Sequence, residues 1–119
     1  MKLRKMDEKD LRNVVNLLFK QCPERNVKEV EEHTAWHLQN IKEYCFVVED
    51  KGEIKGVLIL HPHESIKAVE EEYKDILELE DIYAVSKEAK KLLLSRLQEV
   101  SKDFKYLFLE MDLLRVLLS

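Results

Sequence analysis

The residues best equipped for chemistry in this chain are histidines and carboxylates. His33 and His37 stand four apart, with Glu29 four positions before them, so a helix would stack all three on one side. Imidazoles and a carboxylate at that spacing suit a transition metal, and His61-Pro62-His63 offers two further imidazoles. A metal centre needs about three converging ligands, and spacing alone does not join these segments. The simpler reading is a half-exposed helix face with Trp36 packed beside it, and no metal is assigned. Glu78 and Glu80 alternate with Leu77 and Leu79, so on a strand both carboxylates share one face, with Asp81 following. Such a face is either a catalytic pair or, more commonly, a solvated surface. Cys45 sits beside Phe46 in an alternating strand and reads as a buried, inert thiol.

The elements that must position these groups follow from periodicity. Met1 to Met6 alternates as a short strand. Asp7 is placed to cap the next helix, with Asp10 three residues on. Leu11, Val14, Val15 and Leu18 then repeat at helical spacing, and Cys22-Pro23 ends the helix. Asn26 and Glu29 form a second capping pair before Val30, Thr34, Leu38 and Ile41. Tyr44 to Asp50 reads as a strand, Lys51-Gly52-Glu53 as a tight turn, and Ile54 to His61 as the antiparallel return. Pro62 to Asp75 is polar and acidic, with room for one short helix. The run Val69 to Tyr73 within it reads as solvated rather than as a dock for a polyamine or basic peptide. Ile76 to Val85 is a third long strand. Ser86 caps a helix buried through Leu93, Leu97, Val100 and Phe104, and Tyr106 to Met111 closes with another strand. The very apolar end, Asp112 to Ser119, must cover part of the sheet, within the subunit or across a homodimer interface.

Composition bounds the function. One domain spanning residues 1–119 is expected at this length. Charged residues at 37% and hydrophobic residues at 45% fit a globular protein. A formal charge of −4 leaves no basic footprint for nucleic acid. No apolar stretch approaches the roughly 20 residues that span a bilayer, and MKLRKMDEKD lacks a signal-peptide core, so no membrane is expected and the location is cytoplasmic. Two Gly and two Pro against abundant Lys and Glu give a thermophile-like composition. The two cysteines match no paired-ligand spacing.

The opening MKLRKMDEKDLRNVVNLL, the pair FVVEDKGEIKGVLIL (Phe46 to Leu60), the strand LELEDIYAV (Leu77 to Val85) and KYLFLEM resemble the GNAT acyltransferase family from about Met1 to Met111. The resemblance implies an α/β fold, a mixed and mainly antiparallel sheet flanked by helices, like a shortened GNAT domain. It also implies an acetyl-CoA site along the fourth strand, with the pyrophosphate near Val85, Ser86, Lys87 and Lys90. Glu80 would be the base that deprotonates an incoming amine, with Glu78 second. The family's loop at that point carries an R/Q-x-x-G-x-G/A motif whose amides hold pyrophosphate at a helix start. Here Ser86-Lys87-Glu88-Ala89-Lys90 is shorter and contains no glycine. Glu88 places an anion where the pyrophosphate would sit, partly offset by Lys87, Lys90 and Lys91. No residue matches the family's Tyr acid.

Two functions therefore compete. One is an acetyl-CoA-dependent N-acetyltransferase acting on an amine. The other is a degenerate GNAT-like domain that has lost acetyl-CoA binding, needs no cofactor, and acts as a non-catalytic binding or interaction module. The residues favour the second.

Overall fold

The computed structural model describes residues 1–63 and 76–118. The short helix expected before Asp75, and the acidic run Val69 to Tyr73, lie outside the described residues. Strands β1 (Lys2–Lys5), β2 (Cys45–Asp50), β3 (Glu53–Pro62), β4 (Ile76–Ala84) and β5 (Tyr106–Phe108) form one sheet in the order β1-β2-β3-β4-β5. The first four run antiparallel, and β5 joins β4 in parallel. Helices α1 (Leu11–Gln21) and α2 (Val27–Asn40) connect β1 to β2. Helix α3 (Lys87–Ser101) makes the crossover that a parallel β4–β5 pair requires, and α4 (Met111–Leu118) follows β5.

The sheet is covered on both faces, and strand alternation divides the core. Val47, Val57 and Ile59 join Val14, Leu18, Val30 and Leu38 beneath α1 and α2. Phe46, Val48, Leu58 and Leu60 join Leu77, Leu79, Leu93 and Leu97 beneath α3. Leu113 and Leu117 of α4 pack on that second cluster, while Met111 and Leu118 of the same helix are exposed. The fifth strand is shorter than expected. The Glu110 carbonyl accepts from the amides of Leu113 and Leu114 at 3.1 Å, so the chain turns into a helix where the sequence reading continued the strand.

Local signals explain most boundaries. The Asp7 amide donates to Asp10 Oδ2 at 2.8 Å and Asp7 Oδ1 accepts from the Glu8 amide, a capping arrangement that opens a short 3-10 turn leading into α1. Asn26 Oδ1 accepts from the amides of Lys28 and Glu29 at the start of α2. Asp50 and Glu53 pair across Lys51 and Gly52, whose φ values of 51° and 81° make the left-handed two-residue turn suited to the right-handed twist of a hairpin.

Both hairpin strands carry irregularities. Between β2 and β3 the register shifts at Val48/Glu49. Between β3 and β4, Ile59 faces Asp81 while Leu60 faces Leu79, so Glu80 is an extra residue on β4. This bulge resets the alternation. Leu77, Leu79 and Ile82 point to the α3 side, whereas Glu80, Asp81 and Tyr83 meet groups on the α1–α2 side.

Two features of this frame have measurable consequences. A Cβ on Gly56 would lie 3.0 Å from Leu93 Cδ1 and 3.3 Å from the Tyr83 carbonyl oxygen. Leucine can rotate away but the strand carbonyl cannot, so Gly56→Ala should destabilise the fold by about 1–3 kcal/mol; an unchanged midpoint in urea denaturation refutes that. Second, burial raises the Asp10 carboxyl, but the Arg4 guanidinium, bonded at 2.7 and 2.9 Å, together with the Asp7 amide, outweighs it and holds the group below its usual range. A lowered carboxylate stabilises the fold above its unfolded value of about 3.9 and loses that contribution as pH falls through the native value. Arg4→Met should cost roughly 3 kcal/mol near neutrality, and the gap in thermal midpoint from the parent should narrow below about pH 4. A gap independent of pH would show that the pair contributes only by packing.

Candidate functional site

Because β5 pairs with β4 only over Ile76 to Glu78, the two strands part beyond that point. Among the described residues no strand covers the β5 side of Leu79 to Ala84. Gln21, at the end of α1, donates from Nε2 to the Ile82 carbonyl at 3.2 Å and so satisfies part of this region. A cavity of about 410 Å³ lies here, walled by β4, the α1–α2 connection and α4, with Glu78, Glu80, Asp81 and Glu110 on its lining. Cavities at such a parting of strands are common ligand sites.

The bulge controls which groups reach this place. A strict two-residue alternation would send Asp81 to the leucine face. The extra residue turns it instead beneath Arg25 and His33, where it is almost fully buried. Arg25 Nη1 donates to Asp81 Oδ1 at 3.1 Å, while Asp81 Oδ2 has no hydrogen-bond partner. Burial pushes the Asp81 carboxyl up, against the opposing charges of Arg25 and His33.

Glu80 faces α2. His33 Nε2 lies 3.2 Å from Glu80 Oε2, and His61 Nδ1 lies 3.6 Å from Glu80 Oε1. Burial alone would raise Glu80, but the bond with His33 and the neighbouring imidazoles carry it below its ordinary value. That bond raises His33 in turn. Glu78 moves the other way, pushed up by burial and by the charge of Glu80, although His63 Nε2 lies 3.2 Å from its Oε2. Neighbouring carboxylates driven apart in this manner divide into one group that keeps its charge and one that takes a proton more readily.

The structure brings His33, His37 and His61 together, which spacing in the sequence alone does not show. His37 is buried and not on a half-exposed face. Its Nδ1 contacts the His33 carbonyl at 2.8 Å, and its Nε2 lies 3.0 Å from His61 Nδ1. Trp36 stacks on His61 with ring centroids 5.4 Å apart. Burial lowers both His37 and His61 below the ordinary imidazole value. One ligand-type atom from each of His33, His37 and Glu80 lies within 4.8 Å of the others. Glu29 is not in this group. Asp81 and Arg25 were not singled out as working residues by the sequence reading, and only the bulge reveals them. Cys45 is buried with its thiol pushed up to about 12 by burial, as an inert thiol should be.

The expected pyrophosphate cradle has a different construction. Ser86 Oγ accepts from the Ala89 amide at 3.2 Å, and the Lys90 amide bonds the Ser86 carbonyl at 3.0 Å. The Val85 amide donates to the Lys55 carbonyl at 2.9 Å, so it extends the β3–β4 ladder. Two residues, Val85 and Ser86, join β4 to α3. Val85, Ser86, Lys87 and Glu88 are exposed, and Ala89 is buried against the sheet. The amides of Val85, Ala89 and Lys90 are thus engaged internally.

No protein-family model matches the sequence, and no curated protein matches it. Solved structures do. The chain is similar to the aminoglycoside N-acetyltransferase AAC(6')-Iy in complex with CoA, at 15% identity over 92% of this chain and 76% of that one, with a TM-score of 0.69. It is similar to a ribosomal-protein-alanine N-acetyltransferase from Brucella melitensis, at 16% identity over 87% and 68%, TM-score 0.66. It is also similar to an N-acetyltransferase from Staphylococcus aureus Mu50, at 18% over 85% and 66%, TM-score 0.63. With the sheet order, the parted strands and the crossover helix, these likenesses establish that the chain has the GNAT N-acyltransferase fold.

Proposed function

We propose that this domain is a GNAT-fold binding module that does not turn over acetyl-CoA. The observation that carries the reading is the closed start of α3, where the Ser86 hydroxyl occupies the Ala89 amide and the Val85 amide belongs to the sheet. A helix start so capped has its positive end partly satisfied, and Glu88 adds a negative charge in the first turn. The cleft beside β4 supports a binding role of another kind. Its carboxylates outnumber its cations, and Arg25 is already paired with Asp81. That lining suits a small amine-bearing or cationic ligand rather than a phosphorylated one. A cytoplasmic setting belongs to the same proposal and accords with two free cysteines.

One observation favours the second reading, an acetyl-CoA-dependent N-acetyltransferase acting on an amine. Glu80 lies on the bulge, ionised beside His33 at the cleft, where a base for an amine would be useful. Its structural neighbours named above are acetyltransferases.

Calorimetric titration of the full chain with acetyl-CoA and with CoA separates the two. No heat at millimolar ligand, from protein shown to unfold cooperatively, is the expected result. Micromolar binding overturns the proposal, and its weakening by Lys87→Glu would place the pyrophosphate at the start of α3 and make Glu80 the base to test.

A further inference from the structure

We infer that His33, His37 and Glu80 form a site for one divalent transition-metal ion of the zinc class, with the fourth position left to solvent. This goes beyond the binding role proposed above and does not depend on it.

The first argument is geometric. A tetrahedral ion with bonds of about 2.0–2.1 Å holds its ligand atoms roughly 3.3–3.4 Å apart. Here one ligand atom from each of His33, His37 and Glu80 lies within 4.8 Å of the others, with His33 Nε2 and Glu80 Oε2 3.2 Å apart, so modest side-chain rotations bring the three to the spacing of a tetrahedral ion. Two of the ligands come from one turn of α2 and the third from the bulge of β4, so elements of the sheet and the helix packed on it hold all three.

The second argument concerns the groups behind the ligands. Metal-bound imidazoles donate their other ring N–H to a carbonyl or carboxylate, which fixes the ring and aims the lone pair. His37 Nδ1 contacts the His33 carbonyl at 2.8 Å, which directs the Nε2 lone pair towards His61 and Glu80. His33 Nδ1 faces Asp81 Oδ2 at 3.7 Å, and Arg25 anchors the other oxygen of Asp81. Both His33 Nδ1 and Asp81 Oδ2 are buried without a hydrogen-bond partner. Orphaned buried polar atoms are uncommon in native proteins and ask for an explanation. A shift of His33 towards an ion on its Nε2 side, with Asp81 following, would supply one: the carboxylate–histidine–metal arrangement.

The third argument is charge. The cleft lining sets Glu78, Glu80, Asp81 and Glu110 against Arg25, which is already paired with Asp81, so a dication would balance carboxylates that have few cationic partners. The donor set of imidazoles and one carboxylate suits zinc, cobalt or nickel and not calcium or magnesium.

The test uses the full chain, stripped with a chelator and titrated with Co²⁺ and then Zn²⁺. The inference predicts saturable 1:1 binding of Co²⁺ with the intense visible absorption of a four-coordinate complex, displacement by Zn²⁺, and a thermal midpoint that rises with Zn²⁺. His33→Gln should abolish the spectrum while circular dichroism confirms the fold. Asp81→Asn, which keeps the shape behind His33 but removes its charge, should weaken binding roughly 10- to 100-fold. His63→Gln and Cys22→Ser should leave it unchanged. Absence of saturable binding by the parent protein would overturn the inference and leave a hydrogen-bonded network of imidazoles and carboxylates. So would binding that survives His33→Gln or disappears with His63→Gln, because the ion would then lie elsewhere.

Discussion

The arrangement of this molecule's polar interior depends on one extra residue in β4. A strand of nine residues facing a partner in strict alternation would put Glu78 and Glu80 on one side and Leu79 and Asp81 on the other. The bulge at Glu80 breaks the parity. As a result Leu77, Leu79 and Ile82 all serve the core under α3, and two consecutive carboxylates face α2. The cost is a buried aspartate. It is tolerated because Arg25, in the connection between α1 and α2, comes down on it. The same connection leads into the helix that carries His33 and His37. One backbone irregularity thus sets the charge at the cleft, the position of an arginine and the approach of the histidines.

The opposite end of β4 shows a contrasting economy. The strand runs into α3 through only Val85 and Ser86, and its last amide stays in the ladder with Lys55. A longer glycine-bearing loop would leave several amides open to an anion. A short serine-capped joint has fewer loop amides and a well-formed helix start. The two ends of one strand therefore differ in character. The bulged middle gathers unsatisfied polar atoms, and at the terminus the Val85 and Ala89 amides are paired. Local rules holding at one end and failing at the other is a pattern expected where a protein keeps a working site.

The parts of the fold legible in the sequence were those set by neighbours in the chain. Asp7 and Asp10, Asn26 and Glu29, Lys51-Gly52 and Ser86 each announce a cap or turn within four residues, and the structure realises a cap or turn at each place. What remained hidden depends on register between distant segments. His61 meets His37 across 24 positions, and His33 meets Glu80 across 47; no local spacing encodes such distances. The burial of His37 followed from the same long-range packing. Its neighbours on the helix face, Thr34 and Leu38, were read correctly, but an imidazole at the edge of an apolar stripe can face either way. The end of β5 was misplaced because Leu109 to Leu114 satisfies strand and helix patterns alike. Helix won through the contacts of Leu113 and Leu117 with the core.

The three-residue β5 also bears on how this protein moves. The β1–β4 meander can assemble from sequential hairpin pairings, except for the helical excursion between β1 and β2. The parallel β4–β5 contact must wait for the whole of α3 to cross the sheet. A strand joined last, through three register pairs and with its side chains exposed, is also among the first to open. The cleft beside β4 therefore has one stiff wall and one compliant wall. A ligand entering it meets fixed carboxylates on the sheet side, while the α4 side can yield to its size. Opening of this kind proceeds away from the histidine cluster, which is held by α2 and β3.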